Sequence, residues 1–162
     1  MAGADDRVAA AAAAAGLTIS IQRFPEGTRT AEDAARAVGC DVAQIVKSLV
    51  FMTDGRPVIA LISGADRLDP KRLASAVGAQ RVDRADGDTV RAATGFAIGG
   101  VPPFGHARSL PILMDRRLLE HAVVWAAAGR PDAVFSVAPE DLRRASRARL
   151  ADLAIETQDA RP

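Results

Sequence analysis

The sequence has one cysteine, two histidines and no tyrosine in 162 residues. A single thiol, Cys40, excludes an internal disulfide and suits a reducing cytosol, so a cytoplasmic location is expected. With so few imidazoles and thiols, no His/Cys/Asp spacing resembles a metal site, and neither a metal nor a cofactor is expected. No apolar run approaches the roughly 20 residues of a membrane-spanning helix. The alanine-rich start carries Asp5 and Asp6 before Arg7, the reverse of the basic opening of a signal peptide, so no membrane partner is expected. Charge of one sign is also missing: the formal net charge is +1, which argues against a uniformly basic nucleic-acid binder. No glycine pattern opens a helix in the manner of a phosphate loop or dinucleotide turn, and no Ser-His-Asp arrangement is legible.

What is present is a globular composition, 49% apolar and 25% charged, in a chain long enough for one domain with a sizeable core. No linker, repeat or low-complexity stretch divides it. The expected organisation is a single domain over 1–155, its first 16 residues an alanine-rich helix, with 156–162 as a frayed tail. Residues 17–22 alternate as a strand. Thr30 and Gly39 bracket a helix, as do Asp69 with Pro70 and Gly78. Two apolar runs flank Asp54-Gly55, a strong hairpin signal. A short helix ends at Gly95, a strand ends at Asp115, and two further strands precede a closing helix that starts at Pro139 and runs to about Ala154. Strands do not alternate with long crossover helices, so the expected class is α/β in the α+β sense: a mixed, largely antiparallel, curved sheet surrounded by helices.

Three features carry candidate chemistry. "IGGVPPFGHA" (98–107) mixes the most permissive and most restricted residues, which holds a loop in one shape with its backbone uncovered. Lys47 interrupts the apolar run "QIVKSLVF", where it either snorkels outward at a strand end or points into a polar cleft on the face shared with Leu49 and Phe51. Arg143, Arg144 and Arg147 cluster in "LRRASRARL", either as a solvated helix face or as phosphate contacts. Ser48 is set aside as a nucleophile beside Lys47, because adjacent strand residues face opposite ways. Asp115 reads as a helix cap. One lysine, one histidine (His106) and a loop of free main chain suit a reaction that needs little help, such as water attacking an activated ester.

The ordered set "IVKSLVF", a DG hairpin, "PKRLASAVG", "TGFAIGGVPPFGH", "PILMD" and "VWAAAGRPDAVFSVAPEDL" resembles the YbaK/ProX family over about Leu17 to Leu153. These are free-standing relatives of the editing domain of bacterial prolyl-tRNA synthetase. The resemblance implies a trans-editing aminoacyl-tRNA deacylase acting on a small wrong amino acid, with tRNA(Pro) as the common carrier. It places the family lysine at Lys47, anchoring the 3′-terminal nucleotide. It places the glycine-rich loop at Gly99, Gly100, Val101, Pro102, Phe104 and Gly105, with Gly100 as the catalytic position; Ile98, His106 and the strand residue Phe51 are expected beside the substrate from their own positions in the sequence. Arg143, Arg144 and Arg147 are then the tRNA contacts, and a tRNA synthetase is a candidate partner. Two departures bear on specificity. A tyrosine found in cysteine-specific members is replaced in the neighbourhood of Arg23 or Phe24, and their aspartate falls at Val134, with Asp132 out of register. The other reading is a non-catalytic module of the same fold that grips tRNA ends or a synthetase. A hydrolase of small free esters is a third. The oligomeric state is left open.

Overall fold

In the computed structural model, residues 3–24 and 30–155 are described, and the tail expected at 156–162 lies outside them. The elements run α1 (Ala4–Ala14), β1 (Ile21–Arg23), α2 (Ala31–Val38), β2 (Ile45–Thr53), β3 (Arg56–Ser63), α3 (Pro70–Val77), β4 (Val82–Arg84), α4 (Gly87–Thr94), β5 (Ile112–Asp115), β6 (Val124–Ala127), β7 (Ala133–Val137), α5 (Pro139–Ser146) and β8 (Arg149–Ala151).

Local chemistry explains most boundaries. Thr30 Oγ1 accepts from the Asp33 amide at 3.1 Å and Asp33 Oδ2 accepts from the Thr30 amide at 3.3 Å, a complete capping box for α2. Asp69 and Asp86 cap α3 and α4 by accepting amide protons at 2.9 and 2.8 Å. Asp54 and Gly55 both take positive φ, 50° and 81°, as the tight turn between β2 and β3 requires.

Three elements depart from the expectation. The strand expected over 17–22 forms only at Ile21–Arg23, where β7 pairs with it. No strand is expected at 82–84, where β4 pairs with β2. The closing helix stops at Ser146: Arg147 turns left-handed (φ 57°), and the chain becomes β8, parallel to β5. Sheet pairing wins there over the helical propensity of the sequence because the buried Asp115 reinforces it. Its carboxylate accepts from the amides of Arg117 (2.8 Å), Leu153 (2.8 Å) and Ala154 (2.9 Å), capping one turn and clamping the C-terminal segment with the same side chain.

The strands form one mixed sheet in the order β1-β7-β6-β2-β3-β5-β8, with β4 on the same side of β2 as β6. Of its seven pairings four are antiparallel and three parallel. One face buries Val46, Val50, Ile59, Leu61 and Phe135 against α1 and the 98–107 loop. The other buries Phe51, Val58 and Ala60 against Leu73 of α3. No helix among the described residues is long and apolar enough to cross a membrane.

β2 is the hub. One edge pairs along its length with β3. The other edge is shared: β6 takes Ile45 and Val46, and β4 takes Phe51 to Thr53. Between them, residues 47–49 have no strand partner on that edge among the described residues, and the Val50 carbonyl accepts from the Ala85 amide at 3.2 Å. The sheet is split at its centre, and the split is where the cavity lies.

Candidate functional site

A cavity of about 340 Å³ opens at the split. Its floor is β2 from Ile45 to Val50. Its walls are Ala126 and Ala127 of β6, Val134 of β7, Thr30 and Ala34 of α2, and Ile98, Gly99 and Val101 of the loop, with Arg84 and Arg130 at its edges. The wall is mostly apolar, and unpaired strand backbone runs across it. Trp125, the sole tryptophan, also lines it.

Lys47 is half-buried in this wall and donates from Nζ to the Asp66 carbonyl at 2.6 Å. Burial pushes its ammonium below the usual lysine range. The nearby charges of Asp66 and Glu32 oppose that shift, and those of Arg67 and Arg84 add to it. Asp66 is itself fixed by Arg117, whose Nη1 donates to its carboxylate at 3.1 Å. The lysine therefore does not snorkel freely: it is tethered at the cavity edge with donor capacity left over. Ser48 lines the same cavity, because the strand edge rather than one strand face forms the floor. Its hydroxyl is buried and has no hydrogen-bond partner among the described residues.

The loop divides into two halves with different jobs. Ile98, Gly99 and Val101 face the cavity; Ile98 is 60% exposed at its mouth, and Gly99 takes φ 92°. Gly100 between them is buried against the β6–β7 turn, and its amide already donates to the Ala97 carbonyl at 3.0 Å. The Gly100 amide is thus occupied. The amides of Gly99 and Val101 make no hydrogen bond among the described residues. Beyond Val101 the loop turns inward. Pro102 is buried, and Phe104 packs its ring on Phe135 with centroids 5.7 Å apart. A Cβ at Gly105 would lie 2.7 Å from Ala11 of α1. The ring of His106 meets the Pro102 carbonyl at 2.7 Å through Nε2, and burial lowers its pKa below the ordinary histidine value.

The sequence-predicted residues therefore separate. Lys47, Ile98, Gly99 and Val101 come together around one cavity. Gly100, Pro102, Phe104, Gly105 and His106 brace the loop from behind. Phe51 shares a strand face with Lys47 but lies past Leu49, in the core against Leu73, and does not reach the cavity. Arg143 and Arg144 are held by Glu140 and Asp141 one helical turn away, at 2.8 and 2.6 Å, and Arg147 is the left-handed end of α5. Asp132 is gripped by Arg130 through two hydrogen bonds, at 2.8 and 3.1 Å, while Val134 lines the cavity. Arg84, Arg130, Thr30 and Trp125 were not foreseen, since each lies far from Lys47 in sequence and only the sheet topology joins them. Among the described residues, no group of three or more His, Cys, Asp or Glu side chains is placed to hold a metal ion.

Comparison with known proteins gives a consistent picture. A family model described as an aminoacyl-tRNA editing domain matches residues 25–145. A candidate Cys-tRNA(Pro)/Cys-tRNA(Cys) deacylase, EbsC of Enterococcus faecalis, is 28% identical over 131 residues, covering 80% of each chain. The proline–tRNA ligase of Streptococcus sanguinis is 35% identical over 100 residues, which is 60% of this chain but only 16% of the ligase. A crystal structure of a candidate trans-editing enzyme for prolyl-tRNA synthetase superposes with a TM-score of 0.90 at 41% identity, over 96% of this chain and 99% of that one.

Proposed function

The chain belongs to the aminoacyl-tRNA editing domain family, and from that premise we propose that it hydrolyses the ester joining a small, wrongly attached amino acid to the 3′ end of a tRNA, with tRNA(Pro) as the first carrier to test. The observation that carries the reading is the convergence on one cavity of Lys47 with Gly99 and Val101, whose amides have no partner among the described residues. At about 340 Å³, near the small end of ligand sites, that cavity suits an aminoacyl group with part of its ribose rather than a large side chain.

In this mechanism Lys47 anchors ribose or phosphate oxygens of the terminal nucleotide and fixes the ester against the loop. Water attacks the acyl carbon, and its oxygen forms the new bond. The amides of Gly99 and Val101 receive the carbonyl oxygen as it becomes negative. The bond from the acyl carbon to the ribose oxygen then breaks. That oxygen takes the proton lost by water, with the neighbouring 2′-hydroxyl suited to pass it, and free amino acid and tRNA leave. Lysine at its usual pKa is a weak base at neutral pH, and the downward shift of Lys47 is opposed by two carboxylates, so anchoring is its favoured role. The proline–tRNA ligase similarity makes a synthetase that supplies mischarged tRNA the expected partner.

The test is a panel of mischarged tRNAs with wild type and Lys47→Met. We expect turnover of at least one small aminoacyl ester and a loss of about 100-fold or more in kcat/KM for the variant, with melting unchanged. Wild-type binding without turnover across the panel makes the protein a tRNA-end binding module instead. Equal rates for variant and wild type remove Lys47 from the site.

A further inference from the structure

A second, more open depression of about 460 Å³ adjoins the cavity, and the two share Arg130 and Pro131. It is lined by Arg7 of α1, Arg91 of α4 and Arg130 of the β6–β7 turn, over a floor of Gly95, Phe96 and Ala97. Asp132 is the sole carboxylate among its lining residues, and Arg130 holds it. The groove thus carries three guanidinium groups against one carboxylate. On α5 the balance is the opposite, with Arg143 and Arg144 each neutralised within the helix.

The groove is also built. The Arg7 guanidinium stacks over the Phe96 ring, 4.6 Å from its centroid, and donates from Nη2 to the Gly95 carbonyl at 3.3 Å. A planar fork held in this way keeps N–H groups for a second partner and loses little side-chain freedom when that partner arrives. Arg91 is exposed, with no ion pair among the described residues. We propose that this groove seats the phosphates of the single-stranded RNA segment leading into the cavity. On this path the strand crosses Pro131, Arg130 stands at the crossing, and Arg91 and Arg7 neutralise the phosphates beyond it. Charge complementarity and continuity with the ester cavity favour RNA over an isolated anion. The inference rests on the editing reading for the position of the 3′ end. It replaces the α5 arginines as the principal backbone contact.

The experiment has two arms. In the first, fluorescence anisotropy follows binding of an uncharged acceptor-stem hairpin with a single-stranded 3′ tail, across a salt series. The Arg7→Gln/Arg91→Gln double variant should bind about 10-fold more weakly and flatten the log K against log salt slope by about 1.4, two contacts at about 0.7 each. Arg143→Gln/Arg144→Gln should leave both unchanged. In the second arm, the first double variant should raise KM for mischarged tRNA with kcat retained. It should hydrolyse a 3′-aminoacyl-adenosine, which has no upstream phosphates, within twofold of wild type. An unchanged affinity and slope overturns the proposal, as does an equal loss on the adenosine ester or a larger effect from the α5 pair. Since Arg7 also packs on Phe96, Arg91→Gln alone, with about half the slope change, decides the matter if the double variant melts early. A wild type that hydrolyses neither substrate while the salt response persists defeats the editing reading and leaves the groove standing.

Discussion

Gly100→Ala is the sharpest perturbation of the loop. A Cβ built at Gly100 lies 2.9 Å from the Gly129 carbonyl oxygen and 3.0 Å from both Cα and N of Arg130. All three obstacles are main chain, so no side chain can swing aside. The turn that carries them is itself pinned: the Ala128 amide donates to the Ala133 carbonyl at 2.9 Å, and the Ala133 amide to the Arg130 carbonyl at 3.2 Å. The loop must therefore lift. Overpacking of this kind costs about 1–3 kcal/mol. For a domain of this size that is a drop in Tm of roughly 3–10 °C. The displacement moves Gly99 and Val101 relative to Lys47, and misplacement of reacting groups on the ångström scale costs up to about 100-fold in rate. The expected result is a modest loss of stability and a fall of 10- to 100-fold in kcat/KM for deacylation. Gly99→Ala separates the two causes. Its Cβ meets nothing nearer than Pro131 Cγ at 3.9 Å, so only the strain of φ 92° remains, about 1 kcal/mol. Calorimetric melts and single-turnover deacylation read both variants, and the emission of Trp125 in the cavity wall reports loop displacement directly. A Gly100→Ala protein with wild-type Tm and wild-type kcat/KM refutes the close-packing argument and the coupling of this loop to catalysis together.

Other outcomes follow from the same contacts. Asp115→Ala removes the carboxylate that accepts from three amides and frees the β8 segment, lowering stability by about 3 kcal/mol in chemical denaturation; a change under about 1 kcal/mol means the clamp is ornamental. His106 has a folded pKa below its unfolded value near 6.5 because it is buried, so the folded state binds fewer protons. Its contribution to stability is therefore complete above pH 6.5 and is lost as pH falls from there toward the folded value. His106→Gln retains a donor toward Pro102 and should show a flatter Tm between pH 7 and 5 than wild type; identical slopes dismiss the assignment. Ser48→Ala deletes a buried hydroxyl that has no partner among the described residues, so stability should stay level or rise by up to about 1 kcal/mol in urea titration; a clear loss means the hydroxyl makes a stabilising contact.

The sequence made the local elements legible because their signals are local. Thr30 with Asp33, Asp69 with Pro70, and Asp54-Gly55 each contain the hydrogen bond or φ preference that sets the boundary. The end of α5 was not legible, since the residues that stop it act from a distance: β5 pairs with β8, and Asp115 reaches Leu153 and Ala154. The site shows the same division. Lys47 stands out as a charge in an apolar run. Nothing near it in sequence announces Arg130 or Trp125, which are brought in by the parallel pairing of β6 with β2. The glycine-rich loop stands out by composition, but its sequence does not reveal that a Cβ at Gly100 would meet the main chain of the β6–β7 turn.

A loop of free amides would be a poor oxyanion site if it could relax, and nothing in "GGVPPFG" alone prevents relaxation. The bracing comes from elsewhere: Phe104 on Phe135, Ala11 of α1 against Gly105, and Gly129 and Arg130 against Gly100. Opposite the loop, the unpaired edge of β2 exists only because β4 and β6 pair with its two ends and leave the middle bare. An unpaired strand edge inside a protein is ordinarily a liability, since buried backbone polar groups without partners are unfavourable. Here it faces the cavity of about 340 Å³, with a tethered ammonium at one end. A substitution that let β4 and β6 close over residues 47–49 should therefore raise stability while abolishing any reaction in the cavity, an inverse relation expected of main chain held open for a ligand.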